Sequence, residues 1–241
     1  MIASKVYFNE GRLSKQAIMR EIDGTLSRLG TDYLDLYIIH RFDYDTPIEE
    51  TMEALHDLVK AGKVRALGAS AMYGYQFYNM QLAARDNGWT PFSAMENHYN
   101  LLYREDEREL LPICKQMKVS LMPYSPLAAG HLARPQWRLE SLRGTTDRVA
   151  MGKYDKTEAE DMQIVKRVAE LAEKYNCKMS QIAIAWQWAK GILSPIIGAT
   201  KTQYLDDSAG AFDIKLTAED LAYLEEPYVP HEIVGAIDKN P

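Results

Sequence analysis

The chain has 241 residues, of which 46% are hydrophobic, and its formal net charge is −6 at pH 7. This length and apolar content suffice for one sizeable core, while the acidic balance argues against a nucleic-acid partner, because such binders usually carry a basic face. The cysteines, Cys114 and Cys177, lie far apart, which favours neither a disulfide framework nor a structural metal site. We therefore predict no metal.

Hydrophobicity also bears on location. No apolar run approaches the roughly 18 to 20 residues that cross a bilayer. The first residues lack the long apolar stretch of a signal peptide. We expect a cytoplasmic protein without a membrane partner.

Short apolar runs alternate with helical patterns along the chain. Six runs predict strands, at residues 2–6, 34–39, 64–69, 94–96, 119–124 and around 196–197. Apolar residues at three- and four-residue spacing predict helices at 14–28, 46–61, 74–87, 105–116, 158–175, 180–189, 205–211 and 218–224. Thr46 is the predicted N-cap of the second helix. Strand followed by helix indicates parallel βαβ units, and the absence of GxGxxG argues against a Rossmann domain.

Each predicted strand has a polar or small residue at its carboxyl end, either within its last positions or directly after it. In chain order these residues are Lys5, His40, Ser70, Glu96, Tyr124 and Gly198. In a parallel barrel the carboxyl ends of the strands meet at one face, where active sites form. Spacing alone leaves alternatives open, since Lys5 can be a solvated charge, His40 a hydrogen-bonded core residue and Ser70 a cap.

Five segments of this sequence resemble the aldo-keto reductases. They are RLGTDYLDLYIIHR at 28–41, AGKVRALGAS at 61–70, NHYNLLYR at 97–104, YSPL at 124–127 and PIIGAT at 195–200. The resemblance runs in order along nearly the whole chain. It implies an α/β fold, a (β/α)8 TIM barrel with about six of its eight strands present. A single domain over residues 1–241 is the expected organisation.

The resemblance implies a chemistry as well, hydride transfer between NADPH and the carbonyl carbon of an aldehyde or ketone. In that family a tyrosine donates the proton, a lysine and an aspartate tune the tyrosine, and a histidine orients the carbonyl. Lys5 and His40 stand at the places of the lysine and the histidine. A cation is needed because a free tyrosine titrates near pH 10.

A cofactor site follows from the same resemblance. The expected cofactor-binding residues are Ser70, Glu96, Tyr124, Ser125, Leu127, Gly198, Ala199, Lys201, Asp207 and Ser208. Glu96 stands where many relatives have glutamine, and an ionised carboxylate accepts hydrogen bonds without donating them. Lys201 would meet the adenosine phosphate, so we expect NADP rather than NAD.

The family's tyrosine and aspartate lie on a segment that precedes the lysine strand and has no counterpart here, so we expect a barrel lacking its first two βα units. Open sheet edges invite pairing, which makes a homo-oligomer an expectation. Two functions stay open, an NADPH-dependent reductase and a catalytically impaired cofactor-binding or interaction protein. Trp137 and residues 143–154, in a long connection, are expected to cover the substrate pocket.

Overall fold

The computed structural model describes residues 1–137 and 148–234. In this part of the chain five parallel strands form one sheet in the order of the sequence, namely β1 (Ala3–Val6), β2 (Leu34–Ile39), β3 (Val64–Ser70), β4 (Phe92–Glu96) and β5 (Ser120–Leu121). The prediction of a sixth strand around 196–197 was wrong, because Ile196 forms only an isolated bridge with Tyr124 and not a ladder. Pro195 lacks an N–H group, which limits pairing there.

Nine α-helices lie within the described residues. They are α1 (Lys15–Leu29), α2 (Ile48–Lys60), α3 (Gly74–Asn87), α4 (Leu110–Gln116), α5 (Arg148–Tyr154), α6 (Glu158–Lys174), α7 (Met179–Ala189), α8 (Thr202–Ala209) and α9 (Ala218–Glu225). The predicted helix over 105–116 is divided into a 3-10 turn and α4, because Glu109 has non-helical backbone angles. None of the described helices is long and apolar enough to cross a bilayer.

Helix ends show where local sequence decided the structure. The Ser14 side chain accepts a hydrogen bond from the Ala17 N–H, and Gly30 ends α1 with a φ of 66°, a conformation that glycine adopts at little cost. The Thr46 prediction was wrong. Pro47 occupies the N-cap position of α2, and the Thr46 hydroxyl donates instead to the Asp43 carboxylate at 2.8 Å.

The chain divides into two compact units. Unit 1 comprises Met1–Asn97 and Glu109–Ser120, and unit 2 comprises His98–Arg108 and Leu121–Pro241. Unit 1 carries β1 to β4, and within it α1 packs on α2 and α2 on α3. In unit 2, α6 and α7 pack together, and α9 packs on α6. The single domain over residues 1–241 stays a prediction.

A buried ion pair ties the end of the described chain to unit 2. The His231 Nε2 atom lies 3.1 Å from both Asp161 carboxylate oxygens, and the imidazole stacks on the Tyr228 ring. Glu105 accepts hydrogen bonds from the Tyr228 hydroxyl and from the His231 N–H, both at 2.8 Å. Burial disfavours the protonated imidazole, but the Asp161 carboxylate outweighs it and raises the pKa of His231 above its ordinary value.

This pair predicts a pH dependence of stability. A pKa raised in the folded state means that His231 stabilises the fold fully below its unfolded pKa of 6.5 and less as pH rises through the folded value. Relative to His231→Gln, the wild type should therefore lose unfolding free energy as pH rises from 6.5 through the folded pKa. Urea denaturation at a series of pH values measures it. A difference between the two proteins that does not change with pH would contradict the prediction, and Asp161→Asn should remove the pH dependence.

Candidate active site

The strand register places the predicted catalytic residues on one face of the unit 1 sheet. One row of paired residues crosses the four strands, Lys5, Ile38, Gly68 and Ala94. Two positions further along, Ser70 pairs with Glu96, and the His40 N–H extends the pairing by donating to the Val6 carbonyl at 2.9 Å. Because side chains alternate between the faces of a strand, Lys5, His40, Ser70 and Glu96 belong to the same face.

Glu96 is the centre of contacts on this face. Its carboxylate oxygen Oε2 lies 2.9 Å from the Lys5 Nζ atom, with 30% of the Lys5 side chain and 7% of the Glu96 side chain exposed. The Ser70 hydroxyl donates to the Glu96 backbone carbonyl at 2.8 Å. The structure therefore joins three of the predicted site residues of unit 1 through direct contacts.

His40 lies just beyond the end of β2 and is half-buried. Burial of the imidazole, together with the positive charges of Lys5 and Arg41, lowers its pKa below the ordinary value of 6.5. The ring is therefore neutral at pH 7, with one nitrogen donating and the other accepting. A neutral imidazole can direct an N–H group at a carbonyl oxygen.

Phe8 and Arg41 flank His40, although neither was predicted as a site residue. The Phe8 ring is 68% exposed and stands edge-on to the imidazole, with 5.0 Å between the ring centroids. The Arg41 guanidinium carbon lies 5.0 Å from the Phe8 ring centroid. The available signal was an aromatic residue two positions after the strand that carries the predicted lysine.

Tyr7 lies two residues after Lys5 and one residue after the end of β1. Its ring packs edge-on against Phe8, and the Arg12 guanidinium carbon lies 5.7 Å from its centroid. These contacts give Tyr7 a packing role at the exit of β1.

In unit 2, Tyr124 belongs to a stack of three rings. His98 lies between Tyr124 and Tyr103, with ring centroids at 5.2 Å and 4.2 Å. The His98 Nε2 atom meets the buried Tyr154 hydroxyl at 2.8 Å, and the Asn100 amide donates to that hydroxyl at 3.1 Å. Burial raises the pKa of Tyr154 and holds that of His98 well below its usual range. The pair is neutral and fixes the plane of the stack.

The turn after Tyr124 has unusual backbone geometry. Ser125, Ala128 and Ala129 have φ angles of 57°, 46° and 56°, which cost energy for residues with a side chain. The Ser125 carbonyl accepts from the Asn100 amide at 2.9 Å, and the Leu127 carbonyl accepts from the Gly130 N–H at 2.8 Å. A strained backbone that surrounding hydrogen bonds hold in place is typical of ligand-binding turns.

The predicted adenosine end of the site is also in unit 2. Gly198 and Ala199 are exposed, and Lys201 is the exposed N-cap residue of α8. Asp207 forms an ion pair with Lys178 at 2.6 Å, and the buried Ser208 hydroxyl donates to the Tyr204 carbonyl at 2.7 Å. Asp207 and Ser208 are thus engaged within the fold, while Lys201 projects a charge at a helix N-terminus.

Two other predictions concern this region. Trp137 is buried and stacks on His131, with 4.2 Å between centroids, so it packs inside unit 2 rather than standing open to solvent. Residues 143–147, also expected to cover the pocket, lie outside the described residues. Among residues 1–137 and 148–234, no group of three or more histidine, cysteine, aspartate or glutamate side chains is arranged to hold a metal ion.

Comparison with known proteins gives the class to which this fold and site belong. Residues 1–228 match the model of the aldo/keto reductase family, and the chain is a member of that family. It is 46% identical over 233 residues to an aldo-keto reductase of Fusarium vanettenii and 44% identical over 226 residues to one of Alternaria alternata. It is 43% identical over 228 residues to the versiconal hemiacetal acetate reductase of Aspergillus parasiticus.

These matches cover most of this chain but less of each relative. The aligned parts are 96%, 93% and 94% of this chain and 62%, 60% and 66% of the three relatives, respectively. The chain therefore spans less than two thirds of the length of these relatives. Family membership and the parallel α/β sheet are shown, whereas the activity of the whole protein is a proposal.

Proposed function

We propose that this protein transfers a hydride from NADPH to the carbonyl carbon of an aldehyde or ketone. The observation that carries the proposal is the shared face of Lys5, His40, Ser70 and Glu96 at the carboxyl ends of four neighbouring parallel strands. In parallel barrels that end of the sheet is where catalytic groups converge. Membership of the aldo/keto reductase family supports the same chemistry.

In unit 1 the neutral His40 and the charged Lys5 have different roles in the proposed reaction. The neutral His40 imidazole donates an N–H to the carbonyl oxygen and so orients the substrate and stabilises the charge that develops there. The Lys5 ammonium supplies a fixed positive charge on the same face, which favours an ionised oxygen nearby. At about 4 Å such a charge is worth on the order of 4 kcal/mol at an effective dielectric constant of 20.

Taken separately, each unit carries residues whose chemistry suits one part of a nicotinamide cofactor. The Ser70 hydroxyl hydrogen is used in the bond to the Glu96 carbonyl, so its oxygen is left to accept from the amino group of a carboxamide. In unit 2 the fixed Tyr124 ring offers a flat surface for stacking, and Lys201 offers a charge to a phosphate. When bound, NADPH would supply the hydride.

A second candidate is a cofactor-binding protein with little catalytic power. One observation favours it. In the described part of unit 1, the Lys5 ammonium contacts the Glu96 carboxylate and not a tyrosine hydroxyl. General acid catalysis typically contributes about a hundred- to ten-thousand-fold. A protein without the acid would bind NADPH and turn over slowly.

One assay separates the two candidates. Loss of NADPH absorbance is followed with a panel of aldehydes and ketones, and NADPH binding is followed by quenching of tryptophan fluorescence. The reductase predicts turnover in the wild type, loss of turnover in Lys5→Met and wild-type rates in Glu53→Gln, a surface control. If the wild type bound NADPH without oxidising it, the reductase proposal would be contradicted and the second candidate supported.

A further inference from the structure

The Lys5–Glu96 ion pair joins strands that are not neighbours. β2 and β3 lie between β1 and β4, and three strand spacings span about 14 Å on a flat sheet. Side chains stand roughly perpendicular to a sheet, so on a flat sheet the two charged groups would remain far apart. Their 2.9 Å contact therefore requires a sheet that curls strongly toward the face that carries Lys5.

The residues between the partners show the same curl. A Cβ atom added to Gly68 would lie 3.0 Å from the Ile38 Cγ1 atom and 3.4 Å from both the Leu36 Cδ1 atom and the Ala94 carbonyl oxygen. The neighbouring side chains thus already converge over Gly68. A side chain at this position in the row would have to displace its neighbours by a few tenths of an ångström.

The charges on this face favour Lys5 as the partner of the Glu96 carboxylate. Glu96 is almost fully shielded from water, and a shielded carboxylate without a partner is strongly unfavourable. Elsewhere near this face, the Arg41 guanidinium lies over the Phe8 ring, and the His40 imidazole is neutral at pH 7. Lys5 is the cation in direct contact with the Glu96 carboxylate.

We propose that Glu96 is the positioning residue of Lys5, a carboxylate from β4 that holds the ammonium in place on the concave face. The role rests on the proposed reduction, in which Lys5 must present a fixed charge. It differs from the carboxamide contact expected from the family pattern, because the Glu96 oxygen Oε2 is used by Lys5. An amide at this position could not supply the counter-charge to the Lys5 ammonium.

The test reads Lys5 directly. An N-hydroxysuccinimide ester acylates an amine that it can reach, so a lysine whose amine is held against a carboxylate reacts slowly. Peptide mass spectrometry would follow acylation at Lys5 in the wild type and in Glu96→Gln. We expect the rate at Lys5 to rise several-fold in Glu96→Gln, because a neutral amide holds the ammonium less firmly than the carboxylate does.

Glu53→Gln is the matched control. Its carboxylate lies 2.9 Å from the Lys15 Nζ atom, at the same distance as in the Lys5–Glu96 pair, but the Lys15 and Glu53 side chains are 41% and 47% exposed. Such surface pairs contribute little. Glu53→Gln should leave the rate at Lys5 unchanged, and equal rates at Lys5 in Glu96→Gln and the wild type would overturn the proposal.

A second measurement covers the case in which Glu96→Gln folds poorly. Lys5→Met, Glu96→Gln and the double variant form a cycle of urea-unfolding free energies, and the two single changes should be less than additive because the double variant leaves no charge unpaired. Additive losses would also overturn the proposal. Neither measurement uses cofactor or substrate, so a wild type that fails to oxidise NADPH would refute the proposed function and leave this test intact.

Discussion

Replacing His40 with alanine is expected to lower kcat/KM for aldehyde reduction by about a hundred- to a thousandfold, the usual cost of removing one donor to a developing oxyanion. The imidazole is neutral at pH 7 because burial and the charges of Lys5 and Arg41 lower its pKa. It therefore acts through an N–H group, which alanine lacks. NADPH affinity should stay the same, since the expected cofactor contacts belong to other residues. Steady-state rates and fluorescence quenching measure the two effects.

His56→Ala is the control for that experiment. His56 is also a half-buried histidine of unit 1, but it lies on α2, where its Nδ1 atom meets the Thr90 hydroxyl at 3.0 Å. Its loss should leave kcat/KM at the wild-type level. A comparable drop in both variants would mean that His40 serves the fold and not the reaction.

Gly68→Val is expected to destabilise the protein by about 3 kcal/mol, at the upper end of the range for overpacked cores. The first added atom already lies 3.0 Å from the Ile38 Cγ1 atom, and two methyl groups must follow it into a concave, filled face. Ile38 and Leu36 cannot move away freely because they are packed in β2. Urea denaturation followed by circular dichroism measures the loss.

A graded series shows whether crowding is the cause. Gly68→Ala should lose less stability than Gly68→Val, while Gly152→Val should lose none, because a Cβ atom at Gly152 meets nothing within 4 Å. If Gly68→Val were as stable as the wild type, the face over Gly68 could not be as closely packed as its neighbours indicate.

The sequence predicted the elements well because their signals are local. The apolar spacing predicted a helix at 14–28, and α1 spans Lys15–Leu29, a difference of one residue at each end. The N-cap prediction for Thr46 was wrong because the Asp43 carboxylate in the same loop accepts the Thr46 hydroxyl. More than one residue near the start of α2 fits the sequence pattern of an N-cap. The sixth strand failed because a ladder needs a partner, which an apolar run of two residues flanked by Pro195 and Gly198 does not specify.

The candidate site was predictable as a set of residues and not as a set of contacts. Lys5, His40, Ser70 and Glu96 were found because each lies at the carboxyl end of a strand, and the parity of the register then places them on one face. The Lys5–Glu96 pair escaped prediction because it depends on the curl of the sheet, a property of four strands together. Phe8 escaped because an exposed aromatic residue carries no periodic signal.

The same ion pair has a consequence for the order in which the chain folds. Each βα unit can form contacts with the next as soon as both exist, but Lys5 and Glu96 meet only after all four strands have assembled and curled. Contacts between distant parts of a chain close long loops and tend to form after the local ones. The pair therefore belongs to the last steps of folding, so its removal should speed unfolding while leaving the refolding rate nearly unchanged. The Lys5–Glu96 ion pair would then also set the lifetime of the native state, by slowing its unfolding.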